Sequence, residues 1–217
     1  MKQELSIDLL CIEARSFAQE ESHHGESCLF GVTDGKAVGT YLEHKFQNYL
    51  CQKYTYGQGN SAKGIDFPDL EVDIKVTSIR QPQSSCPYKS AQQKIFGLGY
   101  SLLVFVYEKV DVATTKVASL NILHTIFVDK QRTSDYQITT GIRQILERQG
   151  NVDDLIAFME DRRLPVDYIE ARKIAEEIIR NPPEIGYLTI SNALQWRLQY
   201  SRIIDKAGEV DGILRIL

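Results

Sequence analysis

The chain is short of the residues that mark special environments. Only four of its 217 residues are cysteine, at positions 11, 28, 51 and 86, and they form no Cys-x-x-Cys pair or Cys/His cluster. Structural zinc is therefore not indicated, and free thiols in a reducing compartment are the simplest account. No apolar run approaches the ~20 residues needed to cross a bilayer. The N-terminal stretch also lacks the charged-then-apolar-then-small order of a secretion signal, so the expected location is cytoplasmic, with no membrane contact. Positive charge is not in excess: 25 Lys and Arg stand against 29 Asp and Glu, a net charge of −4. The whole molecule is thus no electrostatic trap for nucleic acid, and any such role needs positive charge gathered locally. Internal repeats and low-complexity stretches are missing too. Thr33-Asp34-Gly35-Lys36 reads as a turn, because the spacing of a phosphate-binding loop is absent. His23-His24 has no second pair to complete a metal site and reads as a polar loop.

What is present centres on residues 64–77. From Leu70 to Thr77 apolar and polar residues alternate, with Leu70, Val72, Ile74 and Val76 on one face and Glu71, Asp73, Lys75 and Thr77 on the other. That period predicts a strand over 70–77 with one buried face. Phe67-Pro68-Asp69 is turn chemistry, and Ile65-Asp66-Phe67 can supply a short partner strand. Such a hairpin brings Asp66 beside Asp73 and Lys75. Two carboxylates can hold Mg²⁺ through oxygen, and a lysine beside them suits an attacking water or a phosphate oxygen. The plainer reading is a solvated strand face with alternating charge. Asp-x-Lys alone does not separate the two.

The surroundings do carry a resemblance. Ala37-Val38-Gly39-Thr40-Tyr41-Leu42-Glu43, then Gly64-Ile65-Asp66, then Val72-Asp73-Ile74-Lys75 resemble the helix glutamate, hairpin aspartate and acid-x-lysine strand of the PD-(D/E)xK nucleases. The closest likeness is to type II restriction endonucleases and the MutH-type nicking enzyme. It spans about residues 36–107 and is specific as a set, though weak in any one part. Pro68-Asp69 is a literal Pro-Asp, yet Asp66 has the fitting spacing and is favoured. The resemblance implies Glu43, Asp66, Asp73 and Lys75 as catalytic residues, with Asp66, Asp73 and Glu43 holding Mg²⁺, for which Mn²⁺ can substitute. It adds Lys94, facing the scissile phosphate from a neighbouring helix. It further implies double-stranded DNA as substrate, a homodimer cutting both strands, and a cognate DNA methyltransferase. Two alternatives stand beside the restriction enzyme: a repair nicking endonuclease, and a non-catalytic DNA-binding protein.

The expected fold is α/β, a mixed central sheet flanked by helices, with a nuclease core over 1–138 and a helical C-terminal subdomain over 139–217. Helical spacing predicts helices over 3–20, 37–53 and 90–97, the last capped by Ser90. Residues 102–107 are nearly all apolar and read as a central strand buried on both faces, and 118–128 as another. Further helices are predicted over 140–149, 152–161, 167–180 and 189–203, separated by Gly150, Pro165 and Pro182-Pro183. In the last of these Asn192, Gln195, Gln199 and Arg202 recur at helical steps, and no acid occurs between Thr189 and Ile204. These side chains, with Arg80, Gln81, Gln83 and Lys89 from the polar stretch after the 70–77 strand and Gln93 from the helix beyond it, are the candidate DNA contacts. Arg, Gln and Asn are suited to base edges. A solvated surface remains the plainer alternative for both stretches.

Overall fold

The computed structural model describes residues 2–57, 64–190 and 197–217. The chain opens with a two-residue strand β1 (Gln3–Glu4) and helix α1 (Ile7–Ser22), where the Ser6 hydroxyl accepts from the Leu9 amide at 3.3 Å. The helix thus begins four residues later than the spacing suggests, because Ser6 caps it and β1 pairs in parallel with β3 (Tyr54–Thr55). After β2 (Gly25–Glu26), helix α2 (Gly35–Lys53) starts at an Asp34 cap, whose carboxylate accepts from Lys36 N at 3.0 Å.

The central sheet follows the order β10-β7-β6-β4, with β2 on the flank of β7. Its strands are β4 (Val72–Ser78), β6 (Ser101–Val112), β7 (Val117–Val128) and β10 (Ile213–Arg215). The neighbours β6 and β7 form a long antiparallel hairpin, whereas β4 runs parallel to β6 through a crossover that contains α3 (Ala91–Phe96). The expected mixed α/β sheet is therefore what forms.

Each face of this sheet has its own core. On one, Val72, Ile74, Leu103 and Phe105 pack with Leu10, Phe17, Leu42 and Phe46 of α1 and α2. On the other, Leu102, Val104, Val106 and Ile126 pack with Leu188, Leu198, Tyr200, Ile203 and Ile213. The burial of 102–107 on both faces follows directly. A third cluster joins α3 to α4 (Tyr136–Glu147), α5 (Val152–Asp161) and α6 (Tyr168–Arg180).

The predicted helix over 189–203 does not form among the described residues. Thr189–Ile190 is strand β8, Arg197–Gln199 is strand β9, and only Ser201–Lys206 is helical, as α7. Together with β5 (Gln83–Ser85) these strands build a three-stranded sheet in the order β5-β9-β8. Leu198 and Tyr200, two residues apart, are both fully buried against the main sheet. This period-two burial outweighs the helical stripe of polar residues. Among the described residues of 139–217, helix is confined to α4–α6 and the short α7. The chain beyond residue 187 returns to the main sheet, which β10 joins beside β7.

Candidate active site

Strand β4 is the edge of the central sheet, and its two faces do different things. Val72 and Ile74 bury beneath α2, where a Cβ added at Gly39 would lie 3.8 Å from the Val76 side chain, while Asp73, Lys75 and Thr77 lie on the opposite face. Leu70 and Glu71 are not in the strand. They close a loop in which Phe67 and Val72 exchange both backbone bonds, at 2.9 and 3.2 Å, and Glu71 takes the left-handed region at φ 53. The expected hairpin is thus reduced to a single bridged pair, and that is enough to set Asp66 against Asp73.

The Asp66 carboxylate is fixed at both oxygens. Oδ2 accepts from the Ile74 amide at 2.8 Å, and Oδ1 accepts from the Gln47 side chain at 2.9 Å. Its neighbour Asp73 is hydrogen-bonded to it, and Lys75 Nζ lies 2.5 Å from Asp73 Oδ2. Burial pushes the Asp73 carboxyl up to about 7, against the pull of Lys75, and Asp66 adds to the rise. Glu43 stands on α2 one helical turn before Gln47. Burial raises its carboxyl, the negative charge of Asp66 raises it further, and Lys75 opposes both. Glu43, Asp66, Asp73 and Lys75 therefore share one electrostatic neighbourhood at the sheet edge. The literal Pro-Asp residue, Asp69, does not join it, because its carboxylate accepts instead from Gly57 N at 2.8 Å.

Among the described residues no group of three His, Cys, Asp or Glu side chains encloses a metal position. The donor chemistry nevertheless fits a hard divalent cation. Two carboxylates in contact, with no sulfur or imidazole beside them, are oxygen donors whose mutual repulsion a cation would relieve.

A cleft of about 1000 Å³ opens from this point, with Glu43 and Lys75 in its wall. The Thr33–Lys36 turn and the start of α2 line one side, and Arg80, Gln81, Gln83 and Arg197 also border it. Five basic side chains against three acids line the cleft, so its local balance is opposite in sign to that of the chain.

The remaining candidates are elsewhere. Lys94 does not reach the cleft wall: it is 2% exposed, with Asp135 and Cys86 near it, and burial holds its ammonium below the usual range. Lys89 is exposed on the surface, and its amide donates to the Gln93 side chain at 2.7 Å. The Arg202 guanidinium lies 3.7 Å from the Tyr136 ring centroid, with Nε buried, which suits packing rather than base contact. Gln199 lies on β9, next to the cleft-lining residues but not among them. Asn192 and Gln195 lie outside the described residues. Sequence reading also missed Gln47 and Arg197. Gln47 follows Glu43 at i+4, a spacing that puts both on one helix face, whereas Arg197 was hidden by the helical reading of its strand.

No solved structure matches the chain. A relative, the type II restriction enzyme NspV of Nostoc sp. (strain ATCC 29411 / PCC 7524), is 66% identical over 212 residues, covering 98% of this chain and 96% of its own length. The family described as type II restriction enzyme NspV matches residues 4–215, and the chain belongs to that family.

Proposed function

We propose that the protein is a Mg²⁺-dependent type II restriction endonuclease of PD-(D/E)xK type, hydrolysing phosphodiester bonds of double-stranded DNA at a specific sequence. The observation that carries the reading is the contact of Asp66, Asp73 and Lys75 at the open edge of β4, beside a cleft of locally positive balance. The mixed sheet with its acids at an edge strand supports a restriction-endonuclease-like core. Asp66 and Asp73 would hold the Mg²⁺, with Glu43 completing its shell directly or through water, and Mn²⁺ would serve in its place. Bound there, the cation supplies charge neutralisation at the phosphate and eases deprotonation of a water. Lys75 orients that water and offsets charge that develops on the phosphate oxygens. Gln47 and the Ile74 amide hold Asp66 still, and Arg80, Gln81 and Gln83 border the path of the DNA.

A homodimer in the cytoplasm, paired with a cognate methyltransferase that protects the host sites, belongs to the same reading. No helix among the described residues is long and apolar enough to cross a membrane.

Digestion of plasmid DNA with and without Mg²⁺ tests the activity. Wild type should give double-strand breaks at fixed positions, whereas a product that stops at single nicks would favour a nicking enzyme. Asp73→Asn keeps the size and removes the charge, and should lower cleavage by several orders of magnitude while DNA binding survives. Lys75→Ala should abolish turnover at neutral pH with little loss of metal-dependent affinity. Normal cutting by Asp73→Asn would remove the site assignment.

A further inference from the structure

We propose that the outer face of the β5–β9 ladder, carrying Gln83, Ser85, Arg197 and Gln199, is the surface that reads base edges in the major groove. This deepens the nuclease reading and rests on it.

The register sets the face. Gln83 opposes Gln199, Ser84 opposes Leu198, and Ser85 opposes Arg197. Residues opposite one another share a side, so the two rows Gln83/Gln199 and Ser85/Arg197 point one way while Ser84 and Leu198 point the other. The inner side is committed to the core at Leu198, and Ser84, though it also borders the cleft, is bonded inward. Leu198 is buried in the core, and the Ser84 hydroxyl is hydrogen-bonded to the buried Tyr200 hydroxyl at 2.6 Å. The outer side is polar, and Gln83, Ser85 and Arg197 line the cleft that starts at Glu43 and Lys75.

Charge points the same way. No Asp or Glu occurs between Asp73 and Glu108, and none between Thr189 and Ile204, in a chain with 29 acids. The fold brings these two acid-free stretches, remote in sequence, into one ladder. The ~12 Å major groove admits a two-stranded ribbon, which the β5–β9 edge of this three-stranded sheet would present, and Arg and Gln offer paired donors and acceptors to guanine and adenine.

The ribbon is also tied to the chemistry. The Thr77 hydroxyl, one pleat beyond Lys75 on β4, donates to the Gln83 carbonyl at 3.1 Å. The Pro82 carbonyl accepts from the Tyr200 amide at 2.9 Å. A shift of the reader along the DNA is therefore passed to the strand that carries Asp73 and Lys75.

The test uses a duplex library with a randomised centre, cut in Mg²⁺, with the ends sequenced. Wild type should return one consensus. Arg197→Ala should relax it at one base pair and its symmetry mate, with cleavage of the parent site falling about 5- to 150-fold. Gln199→Ala should relax a different position. Arg197→Lys keeps the charge but loses the planar fork, so it should relax the same position with the salt dependence unchanged. It also decides the matter if Arg197→Ala does not fold. An unchanged consensus in these variants would overturn the proposal, as would an even loss over all sequences with a shallower salt slope, the mark of backbone contacts. Retention of the same library on Asp73→Asn protein, and on that variant combined with Arg197→Lys, reads base preference without cutting. Loss of cleavage in wild type with a preference that Arg197 controls would remove the nuclease reading and leave the ribbon.

Discussion

Asp73 keeps its proton to a pH at which most carboxyls have lost theirs. Burial is the main cause, and the acid next to it adds to the effect. The consequence for stability has a definite sign. A carboxyl raised from 3.8 to about 7 on folding binds its proton more tightly in the native state. Its contribution is fully present below about pH 4 and is lost as pH rises toward 7. In EDTA, then, the melting temperature should carry a downward component across that window, and Asp73→Asn should flatten it. An unchanged pH profile in the variant would sink this account. Gln47 acts on the other acid. Gln47→Ala removes the side-chain amide that donates to Asp66 and should cost 10- to 100-fold in activity or metal affinity. The half-saturating Mg²⁺ concentration should rise with it, a readout that a purely structural role would leave alone. At this scale much was legible. The spacing favoured Asp66 over Asp69, and it is Asp66 that one bridged pair sets against Asp73. Lys94 was not legible as a core residue, since nothing local shows that a lysine on a short helix will be covered by α4 and the segment before it.

Elements that stood on one clear period were readable, and elements whose signals competed were not. Helices α5 and α6 start and stop where Asn151, Asp167 and the flanking Pro and Arg residues place them. In 189–203 a polar stripe at helical steps overlay an apolar alternation, Leu198 and Tyr200, that burial alone resolves. The same region depends on Asp135. Its carboxylate accepts from Ile138 N at the start of α4 and from Ile190 N in β8, both at 2.9 Å. One buried side chain thus joins the helical layer to the small sheet. Asp135→Ala removes the cap and leaves a buried amide without its partner, and should cost about 2–4 kcal/mol in urea unfolding. A loss below 0.5 kcal/mol would show that the joint is dispensable. Arg202→Ala should likewise lower stability through its lost stacking on Tyr136 while the cleavage consensus stays unchanged, the reverse of what a recognition helix would show.

The described residues bring one set of acids together beside the cleft, so on the proposed reading a break in both strands calls for two copies related by a two-fold axis. In size-exclusion chromatography with light scattering, the protein on DNA should carry a mass of twice 24.7 kDa beyond the duplex. A single copy on the duplex would instead point to sequential nicking. The bond between Ser84 and Tyr200 has one more implication, and it concerns the order in which the polypeptide is made. The two residues are 116 positions apart, which at ~5–20 residues per second is roughly 6–23 s of synthesis. A ribosome therefore exposes Asp66, Asp73 and Lys75 well before it exports Arg197 and the tyrosine that seats the ribbon. On the proposed reading, the nascent chain for that interval holds the residues assigned to cutting but lacks those assigned to choosing a sequence.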